Sequence, residues 1–510
     1  MAQQSAKSRY MLLKAKRDPF LRRARDSAAF TIPALMPPEG HNEYASLPEP
    51  YQGLGARCVV NLASRLMVAM YPPGKPSFKL DVPAEQKIQS GQITLGNDVE
   101  TGLVLSEKLI NAEIERKQWR MPTNLALQYL IVTGNALEYM TPENKMRVYR
   151  LDQYVVVRDM EGSVKELMIE EFLSPLSLPE KARSLIKADD VSTQRMPIYT
   201  HVKREKDGTF SVYQEINDKK VPGSDGVYTV LPYNALRYTA VIGEDYGRGK
   251  VEEHLPDFRA VDGLAKSLLD SAAMASRNIV MIRPNASGGL NLRRRISSAN
   301  NGDVVVGNHE DINMLQFTNT SGIQVAAAEM ERLTKDIAGA FLLSSAAIRD
   351  SERTTATEVR RVSEELEGVL GGVYSQLTQE MQLPRLRRLI FQMQRAKQLP
   401  AWPENMIEPT ILTGLEALGR EQDVNRVAQA LQFIAQLPPQ VLDYIKFDSL
   451  LNKAFNGLDL SDSVRPEAEV QQARAQAQQQ EQQNGLLQTV APEVIKQQAK
   501  AQAPQAPQGN

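Results

Sequence analysis

The sequence predicts an α+β chain, mainly helical, and two observations carry that expectation. Apolar residues first recur at helical three-and-four spacing, then alternate, then return to helical spacing. Beyond Pro466 the large apolar residues thin out and the chain turns Gln/Ala-rich, a composition that cannot bury enough surface to offset its ordering entropy. The 510 residues are long enough for about three domains and a large core.

The elements follow in chain order. The opening MAQQSAKSRYMLLKAKRDPFLRRARDSAAF clusters Lys14, Lys16, Arg17, Arg22, Arg23 and Arg25 with few acids. It lacks the apolar core and small-residue cleavage site of a secretory signal, so it reads as a solvated basic helix. From 51 to about 136 the pattern is helical: Leu54, Cys58, Leu62 and Leu66 share one face, and a second stretch runs from about Val99 past Trp119 to Val132. MRVYRL, QYVVVRD and VKELMIEEFL then read as strands, and PIYTHVKREKDGTFSVYQEI as a hairpin around Lys206-Asp207-Gly208. Together they predict one antiparallel sheet in mid-chain.

Helical spacing resumes at Gly249 in KVEEHLPDFRAVDGLAKSLLDSAAMASRN, and again in IQVAAAEMERLTKDIAGAFLL. Between them lies the polar, glycine-rich RPNASGGLNLRRRISSANNGDVVVG, where apolar runs at 279–282 and 304–306 suggest a small β element and Arg293, Arg294 and Arg295 a solvated loop cluster. Residues 352–397 predict one long amphipathic helix, with Val359, Val362, Leu366, Val369, Val373, Leu377 and Met381 on one face and a capping box at Thr355 and Glu358. Gly371 and Gly372 each cost such a helix about 1 kcal/mol relative to Ala, and Pro384 removes a backbone donor. They imply a bend or a close helix crossing. A further helical group, LTGLEALGREQDVNRVAQALQFIAQL, follows Pro400.

Composition and motifs exclude more than they assign. Sixty basic and 61 acidic side chains leave a net charge of -1, so the total does not argue for a nucleic-acid or membrane surface, though local patches remain open. The single cysteine, Cys58, rules out an internal disulfide framework and reads as a buried thiol. No apolar run reaches the roughly 18 residues of a membrane span, and Arg65 interrupts the best candidate. GEDYGRGKV at 243–251 is one residue too long for a phosphate-cradling loop and carries Val251 where the hydroxyl belongs, so its glycines read as the turn that launches the next helix. His41, His201, His254 and His309 are scattered without metal-ligand spacing, and no GxSxG elbow or cysteine-histidine pair is present. Glu252-Glu253 and Glu364-Glu365 read as helix-surface charges. The expectation is a protein that is not an enzyme and uses no cofactor or metal.

Three stretches carry a family resemblance: ERTTATEVRRVSEELEGVLGGVYSQLTQEMQLPRLRRL, LPEPYQGLGARCVVNLASRLMVAMYPPGKPSFKL at 47–80, and LTGLEALGREQDVNRV at 412–427. They resemble portal, or head-to-tail connector, proteins of short-tailed podoviruses of the autographivirus type, and the likeness covers roughly residues 5 to 460. The resemblance implies a portal fold assembled into a ring of about twelve copies at one capsid vertex. Double-stranded DNA is driven through that ring by the terminase large subunit, and a tail adaptor protein docks later. Major capsid protein, scaffold and internal core proteins are the other implied partners, with assembly in the host cytoplasm, final residence in the virion and no membrane insertion.

On that pattern residues 1–248 form a wing, 249–277 and 323–341 two stem helices, 278–322 a clip and 342–353 a tunnel loop. Residues 354–400 form a long bent helix, 401–460 a crown and 461–510 a partly disordered tail. Arg349 and Arg353 flank the tunnel loop as DNA-channel candidates, Arg293, Arg294 and Arg295 are clip residues facing DNA or an acidic partner, and Gly371 and Gly372 are the helix-bend candidates. A helical scaffold or tail adaptor is the alternative class, but it has no need of a helix, clip, helix arrangement in mid-chain.

Overall fold

The computed structural model of the chain describes residues 5–72 (43 excepted), 76–81, 97–178, 180–183, 185, 195–275, 279–282, 289–300, 302–304, 310, 312–315, 320–343, 372–400, 402 and 407–411. All of them lie in the first of two units, Met1–Gly414. The expected capping box, Arg349, Arg353, Gly371, nearly all of the expected crown and the whole tail fall outside the described residues.

Ala6–Ala29 (α1) starts at Ser5, whose hydroxyl accepts the Ser8 amide as an N-cap. The solvated basic helix that the charge run suggested is solvated on one side only: Lys16 and Arg22 are exposed and Arg17 is buried. Ala6, Tyr10, Leu13, Arg17, Leu21, Ala24 and Ala28 recur at helical spacing and are all buried. Arg17 fits that stripe because its guanidinium donates to the Leu151, Asp152 and Tyr154 carbonyls, which replaces the water it loses.

Leu54–Met70 (α2) buries Leu54, Cys58, Leu62 and Leu66, the face its spacing predicts. Phe78–Asp81 (β1) interrupts the expected all-helical stretch before Asn97–Arg116 (α3) and Arg120–Thr133 (α4). Between those two helices Trp119 is buried, and its indole N–H donates to the Asn144 carbonyl at 2.9 Å. Gly134, left-handed at φ +75°, ends α4 and turns the chain straight into Asn135–Met140 (β2).

The mid-chain strands form two sheets rather than one. Met146–Tyr149 (β3) pairs with β2. Tyr154–Arg158 (β4), Val164–Leu173 (β5), the short helix Glu180–Arg183 (α5), Met196–Arg204 (β6), Phe210–Ile216 (β7), Lys219–Lys220 (β8) and Gly226–Tyr228 (β9) follow. The six strands β4 to β9 make one antiparallel sheet, in which Gly208 at φ +86° sits in the β6–β7 turn. Tyr233–Arg237 (β10) returns to complete a three-stranded sheet in the order β10-β2-β3. α1 lies on the larger sheet, with Ala6, Tyr10 and Leu13 packed on Val155, Met168 and Tyr199.

Lys250–Glu253 (α6), Leu255–Ala275 (α7), Ile279–Ile282 (β11), Gly289–Ser298 (α8), Ile312–Leu315 (β12) and Thr320–Ala340 (α9) come next. The helix expected over 249–277 is thus two pieces with a break at His254, not one continuous run. Residues 372–377 are helical, and Thr378–Gln382 widens into a π turn before Leu383–Arg395 (α10). Pro384 explains the widening. A proline ring clashes with the carbonyl four residues back, and here the Leu383 N–H reaches five back to Thr378 instead.

α10 is anchored by charge inside the core. Arg385 and Glu138 pair with both side chains fully buried, and Arg385 also donates to the Tyr71 and Thr123 hydroxyls. Burial alone would lower the Arg385 pKa, but the Glu138 charge and these bonds outweigh it and raise it. Removing one partner of such a pair costs about 3–5 kcal/mol. Finally, Glu408–Ile411 (β13) pairs with β1, so the chain is still part of the α2–α3 body at Ile411, within the span expected for the crown, and the rest of that span lies outside the described residues.

Candidate functional site

α7 and α9 run along one another, and their shared stripe is apolar. On α7, Phe258 and Val261 are buried while Leu264, Ala265 and Leu268 are only half-buried. On α9, Ile337 is buried and Ile323, Ala326, Met330 and Leu333 are half-buried. Burial therefore fades with distance from the body. The outer faces keep large apolar groups in water: Leu269 is 58% exposed, Met274 61% and Val325 70%. A Cβ added to Gly263 or Gly339 would meet nothing within 4 Å, so no contact among the described residues requires a glycine at either place.

Charge on the pair is mixed and slightly acidic. Asp257, Asp262, Asp270, Glu329, Glu331 and Asp336 stand against Arg259, Lys266, Arg332 and Lys335, six acids to four bases. On α9 these groups pair along the helix: Arg332 with Glu329 and Asp336, and Lys335 with Glu331. Their hydrogen bonds to Arg332 and Lys335 hold the Glu329 and Glu331 carboxyls below their ordinary range.

The root of the pair is fixed by close packing. The Phe341 ring meets both His254 and Phe258 with centroids 5.6 Å apart. Arg259 bonds Asp26 of α1, and the Tyr51 N–H donates to Asp262 at 2.7 Å. Gly134, Gly247 and Gly249 cross backbone to backbone. A Cβ on Gly134 would lie 2.5 Å from the Gly249 nitrogen, and one on Gly247 2.8 Å from the Gly134 carbonyl. The Asn135 amide completes this crossing by exchanging hydrogen bonds with the Gly247 backbone at 2.7 and 3.0 Å. Gly247 and Gly249 of GEDYGRGKV therefore serve packing at a helix start, while Gly243, at φ +82° with open space at its Cβ, serves a turn; the Gly247 N–H already bonds Asn135 instead of facing a phosphate.

At the far end of the pair β11 is antiparallel to β12, from Ile279↔Leu315 to Ile282↔Ile312. The partner run is thus 312–315, not 304–306: Val304 is exposed outside any strand, and 305 and 306 are not described. Arg293, Arg294 and Arg295 are exposed as expected, but on helix α8 rather than in a loop. Successive helix residues turn by about 100°, so the three guanidinium groups point around the axis and cannot form a single flat patch.

Gly372 is exposed on the helix before the π turn, and a Cβ there would meet nothing within 4 Å. Among the described residues no crossing therefore explains its place in the sequence. The sequence reading missed the anchoring of this segment. The Glu380 carboxylate, at the π turn, accepts the Arg237 backbone N–H at 2.8 Å and its guanidinium at 2.5 and 2.9 Å. A signal was present: Arg385 and Arg388 occupy positions that continue the stripe of Leu377 and Met381.

Among the described residues no three His, Cys, Asp or Glu side chains converge as a metal site, and no helix is long and apolar enough to cross a membrane. Burial pushes the Cys58 thiol up to about 12, which leaves it unreactive. The α7 and α9 faces keep large apolar groups that no described residue covers. The chain belongs to the family of bacteriophage head to tail connecting proteins, whose pattern matches residues 3–464. It is 36% identical to the portal protein of Escherichia phage T7 over 94% of this chain and 92% of that one. Identity is also 36% to the portal protein of Enterobacteria phage T3, over 86% of this chain and 83% of its relative, and 27% to that of Pseudomonas phage phiKMV, over 91% and 94%. A solved chain from the virion of a native gene transfer agent particle aligns over 76% of this chain and 87% of its own at 12% identity, with a TM-score of 0.37, too remote a likeness to inform the fold.

Proposed function

We propose that about twelve copies of this chain close into a portal ring at one capsid vertex, and that double-stranded DNA passes through the ring at packaging and again at ejection. The observation that carries this reading is the α7–α9 pair, whose outer faces keep Leu269, Met274 and Val325 in water. A ring covers them: one copy's α7 lies against the next copy's α9, a head-to-tail contact that closes by rotation. α7 and α9 are then the stem, and β11, α8 and β12 the clip. Residues 1–248 with β13 make the wing, 342–353 the tunnel loop and 354–400 the bent helix, while the crown lies beyond Ile411.

The charge on the stem suits transit. Each strong phosphate contact adds counterion-release affinity that would hold moving DNA, and a stem with six acids against four bases limits that grip. The clip, with Arg293, Arg294 and Arg295 set around α8, faces the terminase large subunit during packaging and the tail adaptor afterwards. The wing and crown meet the major capsid protein, scaffold and internal core proteins, and assembly takes place in the host cytoplasm.

Negative-stain imaging and native mass measurement of the purified chain test this. The expected result is a ring with a central hole. Leu269→Asp combined with Val325→Asp is expected to give monomers with an unchanged circular dichroism spectrum, because both side chains are exposed within one chain. A wild-type monomer stable at about micromolar concentration, filaments, or intact rings from the doubly substituted chain would overturn the reading.

A further inference from the structure

The second stem helix stops in an unusual way. The Leu343 N–H donates to the Ala338 carbonyl, five residues back, at 2.8 Å, and the Leu342 N–H to the Gly339 carbonyl at 3.1 Å. This pair of bonds is the Schellman helix stop, which needs a left-handed residue at the position Leu342 occupies and usually finds a glycine there. Leu342 stands at φ +56°. A leucine in that conformation brings its Cβ against the following carbonyl, a strain that persists only where the surroundings over-determine it.

Two features of the surroundings oppose the strain. The Leu342 side chain is buried, as is Phe341 beside it. The Asn61 side chain, from α2, places its amide nitrogen 3.3 Å from the Phe341 carbonyl and 3.1 Å from the Leu342 carbonyl. Both partners are acceptors, so the NH2 end of the amide must face them. A helix that continued past Leu342 would satisfy those same two carbonyls with backbone N–H groups four residues further on. Asn61 supplies from outside a donor of the kind a longer helix would supply from within.

We propose that Asn61 is the positioning residue that ends the second stem helix: it holds Leu342 in the left-handed conformation and so sets the direction in which the chain leaves the stem. Its part in the DNA channel rests on the portal reading; its part in the helix stop does not. The reason for asparagine is chemical. A carboxylate of the same size would face two carbonyls with no donor, and alanine would withdraw the amide donor from both.

The test is a double-substitution cycle in the full-length assembled chain, Asn61→Ala with and without Leu342→Gly, read by hydrogen exchange at the backbone amides of positions 342 and 343. With Leu342 in place, Asn61→Ala is expected to speed exchange at both amides by about tenfold, and Asn61→Asp by a similar factor. In the Leu342→Gly background the same change is expected to have about a twofold effect or less, because glycine takes the left-handed conformation without strain. Leu342→Asn serves as the second background if the glycine chain folds poorly, since asparagine also enters that region. Equal acceleration in both backgrounds would mean that Asn61 merely packs, and no acceleration that the Schellman bonds suffice alone; either overturns the proposal. In particles, Asn61→Ala is expected to leave the number of rings unchanged and to lower full-length DNA per particle. Coupled exchange without any ring would sink the portal reading and leave the helix stop standing. Rings with coupled exchange but unchanged DNA content would remove Asn61's role in the channel.

Discussion

Glu166 shows how a single carboxylate can hold a helix on a sheet. On β5 it stands opposite Lys203 of β6, and its side chain reaches the diagonal neighbour His201, whose Nε2 lies 2.9 Å from it. From α1, Arg9 grips it with two nitrogens at 3.1 and 2.6 Å. His201 is held in turn by the Tyr213 hydroxyl at 3.0 Å, and the Ala6 and Lys7 amides at the start of α1 donate to Glu215. Burial pushes the Glu166 carboxyl up, but the bonds from His201 and Arg9 and their charges prevail and hold it at about 2, against an ordinary 4.5. A group whose folded pKa is depressed contributes stability that is complete above its unfolded pKa and lost as pH falls through the folded one. Glu166→Gln is therefore expected to loosen α1 at neutral pH, with faster exchange of the α1 amides and a lower melting temperature. The difference from wild type is expected to shrink as pH falls from about 4.5 to about 2. Melting curves across that window decide it, and a difference that stays constant would show that Arg9 and His201 do not act through the Glu166 charge.

At the scale of elements, helices were legible and sheet membership was not. The face of α2 is a local property, since Leu54, Cys58, Leu62 and Leu66 are fixed by the turn of one helix. The pairing of β2 with β10, or of β1 with β13, joins segments far apart in the chain, and nothing in EPTI or NALEYM names its partner. Arg17 misled, and Arg385 went unread, for a related reason: each sits on an apolar stripe, and its carbonyl or carboxylate partners lie on other elements. The long helix combines both cases. Over its described residues Leu377 and Met381 are buried as the spacing predicts and Pro384 accounts for the π turn, yet the Glu380–Arg237 anchor at that turn is a tertiary contact that no local pattern names. Gly372 lacks any neighbour that excludes a Cβ, so Gly371→Ala with Gly372→Ala is expected to raise local helix propensity by up to about 2 kcal/mol. If the glycines serve a bend needed in the ring, that gain comes with impaired ring assembly or channel shape. Imaging of the double mutant decides it, and normal rings that package normally would make the glycines incidental.

The scale of the whole molecule turns on how a nearly neutral chain handles DNA. With 60 bases and 61 acids, a ring of such chains attracts phosphate only where bases are concentrated by symmetry. Arg349 and Arg353 lie in SSAAIRDSERTTA, a segment too polar and too poor in large apolar groups to be core, which begins just after the helix stop at Leu342. Repeated about twelve times around an axis, even one inward arginine per copy makes a dense positive belt at the narrowest point. Such a belt would slow DNA little while the motor pulls but would hold phosphates once it stops, with a grip that weakens as salt rises. Arg349→Ala or Arg353→Ala is expected to leave ring formation intact, since neither falls on the apolar spacing that the sequence shows from Val359 to Met381, while packaged DNA escapes more readily. The measurement is full-length DNA retained per particle after packaging, at low and high salt, for wild type, each single mutant and the double mutant. Equal retention in all four chains would remove the arginine belt from the mechanism, and broken rings would reassign these residues to salt bridges between neighbouring copies.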